Sequence, residues 1–188
     1  MRWWRPGTVE MLSDAAIVSR VLSGNTDEYA ELVRRHQELL YRHACGMGID
    51  HDTALDLVQD AFVRGFARLG ECHDAAHYRA WVFRIMRNLC LDHLKNKRRL
   101  SIPFSALPEN EHLPAAVIDV EMTTTLQEAL GTLPVALREA FLLKHDAEYT
   151  YDEIAELTSA SPSAVKMRVQ RAREALREFL ISNGVYAG

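Results

Sequence analysis

The sequence predicts an all-α chain made of two small helical domains joined by an extended acidic linker. Three observations carry this reading. Apolar residues recur at three- and four-residue steps along most of the chain, which is the period of a helix with one buried face. A stretch at 101–118 breaks that period with Pro103, Pro108 and Pro114 among acidic residues, and prolines favour extended backbone. The last third holds Thr150–Leu180, TYDEIAELTSASPSAVKMRVQRAREALREFL, which reads as two helices with a sharp turn between them.

In that closing segment, Thr150 followed by Glu153 is a capping box that opens a helix carrying Ile154, Ala155 and Leu157. It stops in the Ser/Ala/Ser run at Ser159. Ser161 is a natural N-cap for the next helix, and Pro162 suits its first position. From there Val165, Val169, Ala172, Leu176 and Phe179 form a buried stripe. Ser163, Met167 and Gln170 lie opposite, flanked by Lys166, Arg168, Arg171, Arg173 and Arg177. A second helix with its apolar side in and its cationic side out has the shape that enters a DNA major groove. An ordinary solvated helix face is the competing interpretation.

Composition narrows the class. The chain has 188 residues, which allows one domain or two small ones, and 48% are hydrophobic, enough for a core. A net charge of -4 does not by itself suggest nucleic acid. The distribution does: Tyr78–Leu100 carries seven Lys and Arg against one Asp, whereas Ser105–Ala129 carries five acidic residues and no Lys or Arg. Cys45, Cys72 and Cys90 are too few and too scattered for a disulfide framework. No run approaches the ~18 apolar residues of a membrane span, and MRWWRPGTVE lacks the apolar core of a signal peptide. A reduced, cytoplasmic protein is expected.

Taken in order, residues 1–12 form an N-terminal tail in which Trp3 and Trp4 lie between arginines. An interaction tag, a disordered tail and an upstream start before Met11 all fit it. A first helix from about Ser13 buries Ala16, Ile17 and Val21. Asn25-Thr26-Asp27 breaks it, with Thr26 or Asp27 placed to cap the second, which carries Tyr29, Leu32, Val33, His36, Leu40 and Tyr41. After Gly46–Asp52, Asp52 or Thr53 opens a third helix. Its apolar half holds Leu55, Leu57, Val58, Ala61, Phe62, Phe66 and Leu69, and its other half gathers Asp56, Gln59, Asp60, Val63 and Arg64. That acidic stripe suits either solvent or a basic or mixed partner helix.

The loop Gly70–Ala76 brings Cys72, His73 and His77, with Cys90 and His93 further on, at spacings a metal tolerates. Cys90 falls on an apolar side and no paired CxxC anchors the set, so neither a metal nor a cofactor is expected. A fourth helix, from Tyr78 to about Lys97, buries Val82, Phe83, Ile85, Met86, Leu89 and Leu94. A separate stripe holds Trp81, Arg84, Asn88, Lys95 and Arg99. Cations neutralise phosphate and an aromatic ring can stack on an unpaired base, which suits a nucleic-acid strand. Trp81 taken alone reads better as core. No nucleophile–base pair or phosphate loop is present, so an enzyme is not expected.

These motifs together resemble the extracytoplasmic-function (ECF) sigma factors, the smallest members of the sigma-70 family, over nearly the whole of Met11–Leu180. Asp56-Leu57-Val58-Gln59-Asp60-Ala61-Phe62 resembles the family's DLVQEVF, which docks on the beta-prime clamp helices of RNA polymerase. Trp81–Asn88, WVFRIMRN, resembles WLFRIARN, which opens and reads the -10 element. Tyr151–Leu157 and the Val165–Arg173 segment resemble YEEIAEL and VKSRLSRAR, the reader of the -35 element. The resemblance implies a sigma-2 domain at 13–100, a linker at 101–118, a sigma-4 domain at 119–182 and a C-terminal tail at 183–188. It implies polymerase contacts at Asp56, Gln59, Asp60 and Val63, and -10 contacts at Trp81, Arg84, Asn88, Lys95 and Arg99. Contacts to -35 DNA are implied at Ser163, Lys166, Met167, Arg168 and Arg171, together with control by an anti-sigma protein. Departures are plain. Ser159 and Ser163-Ala164 replace family glycine and Gly-Thr, Met167 replaces Ser, and Cys72 and Asp74 replace Phe and Gly in the loop. A stand-alone helix–turn–helix regulator and a sigma mimic that sequesters an anti-sigma protein are the rival readings.

Overall fold

The computed structural model describes residues 12–100 and 120–185, with the side chains of 98–100 and 120–124 excepted. The expected linker, both extreme tails and the side chain of Arg99 lie outside the described residues. The described residues contain helices and turns and no strand, as the apolar period requires.

Two groups of four helices make the fold. The first comprises α1 (Asp14–Leu22), α2 (Tyr29–Gly46), α3 (His51–Ala67) and α4 (Tyr78–Leu100). Ser13 caps α1 by accepting the Ala16 amide. The Asp14 carboxylate just inside that cap accepts from Arg35 (3.0 Å) and His36 (2.7 Å), tying α1 across α2. Neither Thr26 nor Asp27 caps α2, because residues 26–28 form a single 3₁₀ turn that runs directly into it. Asp50, rather than Asp52 or Thr53, caps α3, its carboxylate accepting the Thr53 amide at 3.0 Å. Inside, the Tyr78 hydroxyl donates to the Tyr29 hydroxyl (3.1 Å), which donates to the Phe62 carbonyl (3.0 Å). This buried relay fixes α4, α2 and α3 together, around Leu32, Leu40, Val58, Val82 and Met86.

The second group comprises α5 (Val120–Thr132), α6 (Val135–His145), α7 (Tyr151–Thr158) and α8 (Pro162–Ser182). Its core runs from Leu130, Leu133 and Leu143 to Ile154, Leu157, Val165, Val169 and Leu176.

The two groups do not keep separate cores. Phe83 of α4 is fully buried among Ala140, Leu143, Tyr149 and Ile154, and Met47 is fully buried among Leu130, Leu133 and Leu142. Polar contacts line the same seam. Arg87 donates to both carboxylate oxygens of Glu139 (2.7 and 3.2 Å), and Arg42 pairs with Asp146 at 3.1 Å. Arg138 reaches back to the Met47 carbonyl at the end of α2 (2.8 Å). Two glycines admit α6 there. A Cβ on Gly46 would stand 2.8 Å from Leu142, and one on Gly48 would stand 2.8 Å from the Arg138 guanidinium, at a φ of +84° that also disfavours other residues.

His43 is fully buried near this seam, its ring 4.7 Å from that of Phe83 and its Nε2 without a hydrogen bond. Burial first, and the Arg87 guanidinium second, hold its pKa down at about 3. The folded chain therefore refuses a proton that the unfolded chain accepts below about pH 6.5. Stability supplied by neutral His43 is complete above that pH and falls as the pH drops toward 3, by about 1.4 kcal/mol per unit. Thermal melts at pH 7 and pH 5 should show a clearly smaller acid-induced loss in His43→Leu than in the wild type. Equal losses would remove this role.

Candidate nucleic-acid and partner-binding site

Three surfaces stand out, each built by one helix whose opposite face is committed to the core. On α3, burying Ala54, Val58, Ala61 and Phe62 forces Asp56, Gln59, Asp60 and Val63 outward together. Val63 is 60% exposed, an apolar knob within an acidic stripe. Asp60 makes an exposed i,i+4 pair with Arg64 at 3.2 Å, while Asp56 has no ion-pair partner among the described residues. Leu55 and Phe66, which the periodicity assigns to the buried half, are 48% and 43% exposed. The core beneath α3 is narrower than a full half-turn, so its edge residues emerge beside Gln59 and Val63. The signal that could have revealed them is angular position at the rim of the apolar arc.

On α4, Arg84, Asn88 and Lys95 are exposed along one stripe, as predicted. Lys95 pairs with Asp92 at 3.4 Å, and Arg84 has no ion-pair partner among the described residues. Trp81 is half-buried and packs against the first core, with the Tyr78 ring 6.0 Å away, so it heads the stripe from a largely structural position. In the preceding loop His77 binds the Asp74 carboxylate (2.8 Å) and the Cys72 thiol reaches the Asp74 carbonyl. Cys72 and Cys90 are both buried, and burial pushes both thiols up, Cys90 to about 12. No group of three or more metal-competent side chains gathers among the described residues.

The helix–turn–helix is α7 and α8. Thr150 and Glu153 form the reciprocal capping box: the Glu153 carboxylate accepts the Thr150 amide at 2.7 Å, and Thr150 accepts the Glu153 amide. Those hydrogen bonds favour the carboxylate and hold Glu153 below the usual glutamate range. Ser159 ends α7 in the left-handed conformation, φ +51°, and Ser161 caps α8 through the Ala164 amide. Ser163, Lys166, Met167 and Arg171 share the outer face of α8 with Gln170 and Glu174, lining an open groove that reaches Tyr151. Arg168 sits apart, half-buried on the flank toward the core. Gln170 lies near the middle of this face, and its amide donates to Glu174 at 2.7 Å.

An all-helical protein with a cationic helix–turn–helix, a second cationic helix and an acidic docking helix belongs to the class that joins DNA to a protein partner. Comparison with known proteins supplies the particular family. Residues 32–100 match the model for Sigma-70 region 2, and residues 123–176 match that for Sigma-70, region 4, so the two matches cover more than half of the chain. The ECF RNA polymerase sigma factor SigW of Bacillus subtilis is 27% identical over 177 residues, which cover 87% of this chain and 94% of that protein. The ECF RNA polymerase sigma factor SigE of Mycolicibacterium smegmatis is 32% identical over 158 residues, covering 80% of this chain and 60% of that one. Among solved structures, that of CnrH in complex with the cytosolic domain of CnrY superposes with a TM-score of 0.68 at 27% identity, over 91% of this chain and 99% of that chain. The sigma factor RpoE bound to the anti-sigma factor NepR from Bartonella quintana has the same fold, with a TM-score of 0.67 at 24% identity over 81% of this chain and 96% of that one. The chain belongs to the sigma-70 family of RNA polymerase sigma factors, in its extracytoplasmic-function group.

The left-handed Ser159 carries a measurable consequence. An L-residue there costs roughly 1–2 kcal/mol, partly offset by the extra chain entropy that glycine loses on folding. Ser159→Gly should therefore raise stability by about 0.5–1 kcal/mol, read by urea denaturation. A destabilised variant would contradict the strain argument.

Proposed function

We propose that this chain directs core RNA polymerase to a specific set of promoters through the three surfaces above, and that it does so in the cytoplasm with no catalytic residue of its own. The observation that carries the reading is the sorting of charge by helix: acidic outward on α3, cationic outward on α4 and α8. In this proposal residues 13–100 act as sigma-2 and 119–182 as sigma-4, joined through 101–118. Among the described residues no helix is long and apolar enough to cross a membrane.

Asp56, Gln59, Asp60 and Val63 dock on the beta-prime clamp helices, with Leu55 and Phe66 extending the apolar part of the contact. Arg84, Asn88 and Lys95, with Arg99 beyond them, hold the opened strand at the -10 element, and Trp81 supports the head of that stripe. Capturing an extruded base offsets an unstacking cost of a few kcal/mol, so melting requires no nucleotide hydrolysis. Ser163, Lys166, Met167 and Arg171 enter the major groove at -35, while the half-buried Arg168 contacts phosphate from the flank. One structural neighbour is the sigma factor RpoE in complex with the anti-sigma factor NepR and another is CnrH in complex with the cytosolic domain of CnrY, which supports control of the present chain by an anti-sigma protein.

The direct test is transcription by purified core polymerase on a promoter library. Asp56→Arg combined with Asp60→Arg should weaken polymerase binding roughly 100-fold without lowering the melting temperature, because like charge across an interface costs several kcal/mol. Unchanged binding would refute the docking assignment. Lys166→Ala should weaken promoter binding evenly across sequences and reduce its salt slope by about one, the signature of one lost phosphate contact.

A further inference from the structure

Lys166, Met167 and Gln170 follow Ser163 on α8 at steps of three, four and seven residues, and all four are exposed. That is the spacing at which the recognition helix of a homeodomain presents its base-reading residues to a major groove. Ser163 and Gln170 are separated by about 10.5 Å along the helix axis, which matches the rise of about three base pairs. The outer face of α8 thus covers several base pairs, and Gln170, at the far end of the series, meets one of its own. Periodicity alone places Gln170 opposite the buried stripe and gives it no partner.

What sets Gln170 apart is that its side chain is oriented. Its Nε2 donates to Oε1 of Glu174 at 2.7 Å, one turn further along α8. The two ends of a glutamine amide have nearly the same shape, but a carboxylate only accepts, so the nitrogen must be the end that faces Glu174. The amide carbonyl is therefore turned away. Neither it nor the second amide hydrogen has a partner among the described residues. An open acceptor beside an open donor is the pair that meets adenine, whose N6 donates and whose N7 accepts.

Glu174 also calls for a reason. It is exposed in the groove that Lys166, Arg171 and Arg173 border, and it has no ion-pair partner among the described residues. An anion on a surface that meets phosphate opposes binding, and an exposed i,i+4 pair adds little to helix stability. Fixing the Gln170 amide in advance does help binding, because the cost of ordering that side chain no longer falls on the DNA contact.

We propose that Gln170 reads one adenine in the major groove of the -35 element through a bidentate amide contact, with Glu174 as its positioning residue. This deepens the -35 reading of α8 and rests on it. Phosphate contacts from the cations around Gln170 hold the helix in register on any sequence, whereas the paired acceptor and donor discriminate between bases.

The test is transcription by core polymerase with the full chain, from a promoter library randomised across -35. The wild type should favour adenine at one position by about 5- to 150-fold, the range of a good bidentate contact. Gln170→Ala should lose that preference and keep those at the other positions. Glu174→Ala should blunt the same position alone, and Glu174→Gln, whose carbonyl still accepts from Gln170, should retain it. Both residues are exposed, so the melting temperatures of all three variants should stay close to that of the wild type. If the wild type selects adenine and Gln170→Ala keeps it, or loses selection evenly at every position, the assignment of Gln170 falls and the -35 reading stands. A loss of cytosine preference in Glu174→Ala, with the adenine preference intact, would make Glu174 a base reader itself and overturn its positioning role. A wild type that selects no -35 base at all would remove the -35 reading, and this assignment with it.

Discussion

The seating of α6 on the end of α2 organises this molecule. Two glycines two residues apart leave a backbone surface bare enough for Leu142 and the Arg138 guanidinium to press against it. Once α6 is there, Glu139 must face α4, and Arg87 is the group that makes burying that carboxylate tolerable. Such a buried pair adds little net stability, because desolvation consumes most of the Coulombic gain. Its effect is to match the two charges in this packing, where removing either would leave the other buried and unpaired. Phe83 and Met47, each buried among residues of the second group, supply the apolar attraction that the polar contacts then orient.

That arrangement explains how one chain of net charge -4 can serve both an acidic and a cationic role. The charged faces of α3, α4 and α8 are each determined by which side of that helix the core claims, so they end up on separate surfaces and do not neutralise one another. The charge pairs along α3 and α4 are short-range and exposed, worth a few tenths of a kcal/mol each, and leave the long-range field of each face largely intact. The pairs with structural weight are those at the seam.

Most helices were legible in advance, and for local reasons. The apolar period, the Thr150–Glu153 box, Ser161 with Pro162 and the small polar turn at Ser159 all act within a few residues, where sequence and geometry are closely bound. The same reasoning mistook the cap of α3, because Asp50, Asp52 and Thr53 are all competent, and it is Asp50 that takes the extended backbone and accepts the Thr53 amide. It placed Leu55 and Phe66 inside, since a helical wheel gives direction but not the width of the core that meets it. It placed Arg168 on the flank of the outer face of α8, and the structure adds that this residue is half-buried there.

By itself the sequence determined the all-helical class, the helix–turn–helix and the sign of charge on each amphipathic face, because these follow from period, capping and turn chemistry over spans of four to eight residues. Only the tertiary structure decided that the two helix groups share a core, and which charges are buried in pairs. The bond from Arg138 to Met47 joins residues 91 apart, and no local pattern marks either end of it. Glycine at 46 and 48 reads as a mere break until α6 is brought against it, and a contact made by an absent side chain leaves no periodic trace.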